Sequence, residues 1–395
     1  MAQFNFVHGG RLYESEERTG RKMVDFSASI NPLGLPYRVR EDLFQDWKRI
    51  LHYPDPEGIG LMKKISQYWE IPPENIILGN GSNELIYLVI STFRPGSVLI
   101  PVPTFSEYER AVRANDGRPV FFKLSEKEGF TLNLEKACDY GTDAIFICNP
   151  NNPTGNLLLT DQQEFTPLIN SRCRGLIHQA RPVKGDSLLY GARGSDKSDP
   201  YLGGFNLSQR LVVIDEAFMD FLPDQEKYTF LRKAIDRKNL IVLRSFTKFF
   251  ALAGLRLGYL VAHRDRVGDL RKKLSPWNVN ALALRAGELM LTQKGYAHET
   301  YRLIAGEREF LSREISRIKG LRPFPSAANF ILVKIALPGI TSTRLTAGLG
   351  KAGLLVRDCA NFRNSGNKFI RIAVRTRREN ELLVTTLNKI MGKYI

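Results

Sequence analysis

Short apolar runs alternate with helical or loop stretches between residues 76 and 261, and this alternation constrains the fold more than any other feature. Such a pattern predicts an α/β fold with a mostly parallel, buried sheet of about seven strands. Ligands of these sheets bind where loops leave the carboxyl ends of the strands. The seven runs are Ile76–Leu78, Val98–Val102, Val120–Leu124, Ala144–Cys148, Leu211–Ile214, Leu240–Leu243 and Leu257–Val261.

Polar motifs follow three of the first four predicted strands. The turn Gly79–Glu84 (G-N-G-S-N-E) precedes an apolar helical run, a pattern that points backbone N–H groups at a phosphate. The motif P-T-F-S-E-Y brings Phe105 and Tyr108 to the same edge, where an aromatic ring either stacks on a planar ligand or packs in the core. The loop Asn149–Gly155, fixed by two prolines, presents Asn152 for hydrogen bonding.

A carboxylate and a lysine follow the next two central strands. Asp215 ends a buried strand, where a carboxylate is costly unless a cation pairs with it; a protonated pyridine nitrogen is a suitable partner. Lys248 lies between hydroxyls and aromatics in S-F-T-K-F-F, where lost hydration lowers the pKa of an amine and makes it nucleophilic. Beside Arg256, it suits a Schiff base with a phosphate-bearing aldehyde such as pyridoxal 5'-phosphate (PLP); the alternative is an ordinary strand end with a solvated lysine.

The composition sets limits on the class of protein. A chain of 395 residues suits two domains, and 43% hydrophobic with 25% charged residues is typical of a soluble globular protein. The sequence has neither an apolar run long enough to span a membrane nor a signal peptide at its start. The four cysteines are scattered, which argues against a metal site and favours a reducing cytoplasm. The net charge of +16 is spread along the chain, which favours a solvated basic surface over a nucleic-acid site.

Two regions lie outside the alternating pattern. Between Gly155 and Asp215 the chain is longer than one helix and one strand require, and the excess around residues 180–209 is rich in Gly, Ser, Asp and Lys. We interpret it as a surface insertion. Near the start, His8–Gly10 (H-G-G) and Asp25–Gly34 (D-F-S-A-S-I-N-P-L-G) predict an arm laid across another part of the molecule, in which His-Gly-Gly lets the backbone approach a ligand.

The last hundred residues predict a smaller unit. A long charged helix over Tyr296–Lys319 leads to three apolar segments that indicate a small sheet, namely Ala328–Lys334, Gly353–Asp358 and Phe369–Arg375. Arg357 and Arg371 lie on or beside these strands. A partly buried arginine needs an anion, which is either a ligand or an acidic residue of the same domain.

Taken together, N-P-N-N-P-T-G, D-E-A-F, S-F-T-K and G-L-R-L-G resemble the fold type I superfamily of PLP-dependent aminotransferases over nearly the whole chain. The resemblance implies a large domain with a mostly parallel seven-stranded sheet and a small C-terminal α+β domain. We expect an N-terminal arm at residues 1–44 that contributes to the active site and the small domain. The PLP-binding domain is expected at residues 45–290, with the insertion at about 180–209, and the small domain at residues 291–395.

The resemblance also implies catalytic and cofactor-binding roles. Lys248 forms the Schiff base and shuttles protons, Asp215 pairs with the pyridine N–H, and Asn152 bonds the ring hydroxyl oxygen. Phe218 stands where the superfamily often has tyrosine, and it cannot bond that oxygen. Tyr53 resembles a residue that reaches the cofactor phosphate of a neighbouring subunit, which implies a homodimer. The ring and phosphate contacts fall to Phe105, which stacks on the ring, and to Ser82, Asn83, Ser245, Thr247 and Arg256.

Four segments give a finer resemblance, to the threonine-phosphate decarboxylase group of cobalamin biosynthesis. They are H-G-G, D-F-S-A-S-I-N-P-L-G, P-W-N-V-N-A-L-A (276–283) and C-A-N-F after Arg357. The resemblance implies decarboxylation of L-threonine O-3-phosphate, with no nucleic-acid or membrane partner. The alternatives are histidinol-phosphate aminotransferase and a non-catalytic regulator; the first 35 residues are too short for a regulator's DNA-binding domain. The implied substrate-binding residues are His8, Gly9, Asn31, Asn152, Arg357 and Arg371.

Overall fold

A seven-stranded sheet forms the centre of the computed structural model, which describes residues 8–160, 168 and 210–394. Its order is β2-β8-β7-β6-β5-β3-β4, and all strands are parallel except β8, which is antiparallel to both of its neighbours. The predicted mostly parallel sheet is therefore confirmed, and each of the seven apolar runs forms one strand. The strands are β2 (Ile76–Gly79), β3 (Ser97–Val102), β4 (Arg118–Lys123), β5 (Ala144–Cys148), β6 (Leu211–Asp215), β7 (Leu240–Ser245) and β8 (Gly258–Ala262).

The sheet is buried on both faces, which explains why its strands are apolar throughout. Successive side chains of a strand point to opposite faces. In β6 and β7, Val212 and Val242 pack in one core, while Val213, Ile241 and Leu243 pack in the other. The arm contains α1 (Leu12–Thr19). Helices cover these two cores: α2 (Tyr37–Gln45), α3 (Ile59–Trp69), α4 (Gly81–Phe93), α5 (Glu107–Ala114), α6 (Leu134–Cys138), α7 (Leu231–Asp236), α8 (Arg264–Arg271) and α9 (Ala281–Met290).

A second sheet has five strands in the order β1-β11-β12-β10-β9. Its first strand comes from the predicted arm: β1 (Val24–Phe26) runs parallel to β11, pairing Val24 with Leu354 and Phe26 with Val356. The other elements of this unit are α10 (Tyr296–Ser316), β9 (Leu321–Pro323), β10 (Phe330–Ile335), α11 (Ser342–Lys351), β11 (Leu354–Asp358), β12 (Phe369–Ala373) and α12 (Arg377–Met391). The long helix and the three strands expected from the sequence are present.

One expectation from the sequence concerns residues that the structure does not describe. The insertion expected at about residues 180–209 lies outside the described residues. In the described part of the chain, no helix has the length and apolar character needed to cross a membrane. Nor do His, Cys, Asp and Glu side chains form a metal-binding group within residues 8–160 and 210–394.

Candidate active site

A cavity of about 390 Å³ opens at the carboxyl ends of the central strands, between the two sheets and the N-terminal arm. Loops that leave β2, β3, β5, β6 and β7 line one side of it, which is the edge that a parallel sheet offers to ligands. Strands β11 and β12 and the arm line the other side. Thirteen of the fifteen residues proposed from the sequence lie in its wall, namely His8, Gly9, Ser82, Asn83, Phe105, Asn152, Asp215, Ser245, Thr247, Lys248, Arg256, Arg357 and Arg371.

Lys248 lies three residues beyond the end of β7, and its amine belongs to the cavity wall. Burial and, after it, the positive charges of Arg371 and Arg256 together lower the pKa of Lys248 to about 8. Asp215 acts in the opposite direction. A substantial fraction of the amine is therefore neutral and nucleophilic near physiological pH, as an amine that reacts with an aldehyde requires.

Asp215 ends β6 and is buried in the cavity floor. Its Oδ2 accepts a 2.7 Å hydrogen bond from the Tyr108 hydroxyl, and its Oδ1 accepts one from the backbone N–H of Ala217 at 3.0 Å. Burial nevertheless raises the pKa of Asp215 above its ordinary value. A cation placed beside this carboxylate would stabilise its ionised form, which suits the protonated ring nitrogen expected from the sequence.

The start of α4 forms an anion cradle. Gly81 has a φ of +78°, and a side chain there would place its Cβ 2.5 Å from Nη2 of Arg256. At Gly258 a Cβ would lie 2.5 Å from the backbone nitrogen of Ser82, so both glycines permit close approach. The hydroxyls of Ser245 and Thr247 lie 2.7 Å apart beside this helix start in the same wall. N–H groups, hydroxyls and a guanidinium together suit a phosphate.

Two arginines face each other across the small sheet. Arg357 of β11 and Arg371 of β12 are direct partners in the antiparallel register, and both are buried. Like charges directly opposite each other are destabilising. Arg371 donates to two neutral acceptors, Oδ1 of Asn152 at 2.5 Å and the carbonyl oxygen of Ser27 at 2.7 Å. An anionic ligand in the cavity would relieve this concentration of positive charge.

Two proposed residues lie outside the cavity. Asn31 is buried, and its side-chain NH₂ donates to the Phe249 carbonyl oxygen, the Tyr296 hydroxyl and Thr300 Oγ1. The protein therefore holds this amide, and the backbone N–H of Asn31 donates to the Lys248 carbonyl oxygen at 3.0 Å. The expectation that Asn31 contacts the substrate stays a prediction. Tyr53 is 81% exposed and stacks on Trp277, with ring centroids 4.7 Å apart.

Other lining residues were not assigned from the sequence. Tyr108 was considered only as an aromatic ring, yet its hydroxyl bonds Asp215, and Glu107 of the same P-T-F-S-E-Y motif bonds His8 at 2.8 Å. The position of this motif directly after a strand indicates that it lies near the site, but it does not predict which side chains bond each other. Phe218 packs edge-on against Phe330 with centroids 5.0 Å apart, as an apolar wall residue.

The described residues fit PLP in three respects. The cradle at the start of α4 suits its phosphate, the buried Asp215 suits its ring nitrogen, and the amine of Lys248 suits its aldehyde. In addition, the Asn83 Oδ1 atom in this wall is buried without a hydrogen-bond partner among the described residues. Buried polar atoms of this kind are normally satisfied by a ligand or water.

Comparison with known proteins identifies the family. The family model for class I and II aminotransferases matches residues 21–167 and 206–387, so the chain belongs to that family, whose members are PLP-dependent and share the fold type I architecture. The match breaks between residues 167 and 206, a gap that overlaps the expected insertion.

The individual relatives include two different enzymes, a decarboxylase and an aminotransferase. The chain is 31% identical to the threonine-phosphate decarboxylase of Salmonella typhimurium, over 99% of this chain and 98% of the relative. It is 30% identical to a histidinol-phosphate aminotransferase of Caldanaerobacter subterraneus, over 98% of this chain and 97% of the relative. Among solved structures, the histidinol-phosphate aminotransferase of Clostridium acetobutylicum superposes with a TM-score of 0.78 at 27% identity, covering 94% of this chain and all of that one. The expected resemblance to threonine-phosphate decarboxylases is thus confirmed.

Proposed function

We propose that the protein is a PLP-dependent carboxy-lyase that converts L-threonine O-3-phosphate into CO₂ and (R)-1-amino-2-propanol O-2-phosphate, within cobalamin biosynthesis. The observation that carries the proposal is the register pair of Arg357 and Arg371, which together with the arm offers cations for two anionic groups. L-Threonine O-3-phosphate has a carboxylate and a phosphate, so one substrate molecule can pair with both cationic groups. The 31% identity to a threonine-phosphate decarboxylase supports the same choice.

PLP, when bound, would withdraw electrons from the substrate carbon that carries the amine. Lys248 would hold the cofactor covalently, Asp215 would keep its ring nitrogen protonated, Asn152 would bond the ring hydroxyl oxygen, and Phe105 would stack on the ring. Ser82, Asn83, Ser245, Thr247 and Arg256 would hold its phosphate.

The chain's own residues would then choose which bond breaks. Arg371 would bind the substrate carboxylate, while Arg357, His8 and Gly9 would bind its phosphate; charge-assisted hydrogen bonds of this kind contribute about 1.5–3 kcal/mol each. Anchoring both groups would fix rotation about the Cα–N bond, so Arg371 and the phosphate-binding residues would determine which bond at Cα is placed for cleavage. The carboxylate departs as neutral CO₂, and a proton from Lys248 or water takes its place at Cα. Arg371 must release the group as it loses charge, so its contact cannot be too tight.

The direct test measures the CO₂ and the amine phosphate that the protein releases when no keto acid is present. We expect the purified, PLP-loaded protein to release CO₂ and amine phosphate in equal amounts from L-threonine O-3-phosphate. With L-threonine as the control, kcat/KM should be lower by at least about 10²-fold, because two or three charge-assisted bonds are missing. Absence of CO₂, together with glutamate formation from 2-oxoglutarate and histidinol phosphate, would instead establish the aminotransferase alternative, which the 30% identical relative represents.

We also propose a homodimer that works in the cytoplasm, in which Tyr53 serves the neighbouring subunit. The exposed tyrosine lies outside the cavity of its own chain. It belongs to a run of exposed apolar side chains over α2 and the segment that follows, and exposed apolar groups that occur together are typical of an interaction surface. The other members of this run are Tyr37, Phe44, Trp47, Ile50 and Leu51.

Replacing Tyr53 by phenylalanine tests this assembly. We expect the dimer to persist in sedimentation, because the ring is retained, while the dissociation constant for PLP rises about tenfold through loss of one hydrogen bond to a charged phosphate. Tyr13→Phe is the matched control, since Tyr13 is equally exposed (84%) but lies on α1. A monomeric wild-type protein, or unchanged PLP affinity in Tyr53→Phe, would contradict the proposal.

A further inference from the structure

Glu107 is a buried carboxylate in the wall of a cavity that otherwise suits anions. It is the first residue of α5 and is only 3% exposed. An anion in this position opposes the binding of another anion unless nearby cations offset it. The structure therefore contains a group that the cofactor site and the two arginines do not explain.

Three side chains surround this carboxylate. Its Oε1 lies 2.8 Å from Nε2 of His8 and 3.6 Å from Nη1 of Arg110, and its Oε2 accepts a 3.1 Å hydrogen bond from the Tyr87 hydroxyl. Burial opposes ionisation, but the hydrogen bonds from His8 and Tyr87 and the charge of Arg110 lower the pKa of Glu107 below its ordinary value. An ionised carboxylate only accepts hydrogen bonds, so Nε2 of His8 must be the donor.

This contact joins three parts of the chain. His8 belongs to the arm, Tyr87 to α4 and Glu107 to α5. Within the arm, the Gly10 N–H donates to Ser27 Oγ at 2.9 Å, and a side chain at Gly9 would collide with the Ser27 carbonyl oxygen. That same carbonyl oxygen accepts from Arg371. The arm is thus fixed between Glu107 and the arginine pair, and His8 lines the cavity.

We propose that Glu107 is a positioning residue for phosphate recognition: by accepting the Nε2–H of His8 it holds the arm against α5, so that Gly9 and the Nδ1–H of the doubly protonated imidazole face the substrate phosphate. The inference rests on the proposed function in taking a phosphate-bearing amino acid as the ligand. A chain segment loses conformational entropy when it is ordered. Because Glu107 orders the arm in the folded protein, the free energy of substrate binding does not have to offset this loss of entropy.

The test compares two amino acids on the PLP-loaded protein, with binding followed by the absorbance of the cofactor. In Glu107→Ala we expect affinity for L-threonine O-3-phosphate to fall about tenfold or more, as for loss of a charged hydrogen bond, while affinity for L-threonine changes less than about threefold. Unchanged threonine binding also shows that the variant is folded. Glu107→Gln keeps an acceptor oxygen for Nε2–H, so it should lose less than Glu107→Ala.

Three further variants separate positioning from a general structural effect. His8→Ala should lose the same selectivity. The double variant, Glu107→Ala with His8→Ala, should lose little more, because the effects of two substitutions that remove one contact are not additive. Glu109→Gln is the matched control: Glu109 is on the same helix and equally buried, but it binds Arg113 and Arg363 outside the cavity. Its ratio of affinities should equal that of the wild type.

The outcomes are distinguishable. Unchanged selectivity in Glu107→Ala, or losses that multiply in the double variant, would overturn the inference. If the wild type prefers the phosphorylated amino acid but releases no CO₂, and Glu107→Ala still loses the preference, the positioning role stands and the decarboxylase proposal fails. A wild type without any preference for the phosphorylated ligand would overturn both.

Discussion

Lys248→Ala should abolish turnover, with kcat falling by about 10⁴-fold or more, because one substitution removes both the nucleophile and a proton-transfer group. Among the described lining residues Lys248 is the one lysine, so no neighbour can replace it. CO₂ release gives the rate. Mass spectrometry after borohydride reduction gives the covalent attachment, which should be present in the wild type and absent in the variant.

Lys334→Ala is the control for this substitution. Lys334 lies on β10, outside the cavity wall, and is paired with Glu126 at 2.6 Å. It should keep both the covalent attachment and the rate within about twofold, as expected for a partly exposed ion pair. Substantial turnover by Lys248→Ala would refute the role of Lys248.

The pH dependence of PLP capture by the cofactor-free protein supports the same assignment. The reacting form is the neutral amine, so the rate of covalent attachment should increase as pH rises and level off above the pKa. With the pKa of Lys248 lowered to about 8, the midpoint should lie near pH 8. A midpoint near 10.5, the ordinary lysine value, would show that the buried environment does not act on this amine.

The sheet was predictable because its strands are buried on both faces. Residues such as Val212 and Val213 point into opposite cores, and each must be apolar. The sequence of each strand therefore carries its own signal without knowledge of its neighbours. The polar residues at strand ends, such as Asp215 and Lys248, were recognisable for the related reason that parallel strands bring their carboxyl ends to one edge.

What the sequence does not specify is pairing between distant segments. Asn31 occurs in a motif that resembles a substrate-binding segment, yet its amide bonds Tyr296 and Thr300, more than 260 positions away. The contact of His8 with Glu107 spans 99 positions. Local periodicity and composition do not predict which distant residues contact each other. Roles that depend on such contacts are therefore visible only in the folded structure.

Behind the cavity floor, Arg244 forms a second polar cluster of this kind. Its guanidinium donates to Glu216 Oε2 at 2.9 Å, Asp220 Oδ1 at 2.7 Å and Thr229 Oγ1 at 2.9 Å, and all of these groups are buried. The guanidinium also lies 4.6 Å from the ring centroid of Trp69. Burial raises the pKa of Glu216 and of Asp220, while the charge of Arg244 favours their ionised forms.

This cluster supports the catalytic strands. Glu216 follows Asp215 directly, and Arg244 precedes Ser245, so the cluster connects the ends of β6 and β7 from below. If Arg244 is lost, Glu216 and Asp220 lose the cation with which they pair among the described residues. Removing one partner of a buried ion pair costs about 3–5 kcal/mol, because the remaining charge stays desolvated.

We therefore expect Arg244→Met to lower the free energy of unfolding by about 3–5 kcal/mol. Urea denaturation of the cofactor-free protein is the appropriate measurement, since bound PLP would stabilise the folded state by mass action. Arg232→Met is the control: Arg232 pairs with Glu70 at 2.7 Å on the surface, and its loss should cost less than about 1 kcal/mol. If the two variants unfold at the same urea concentration, the cluster is not a major source of stability, and Asp215 is held by Tyr108 and Ala217 without it.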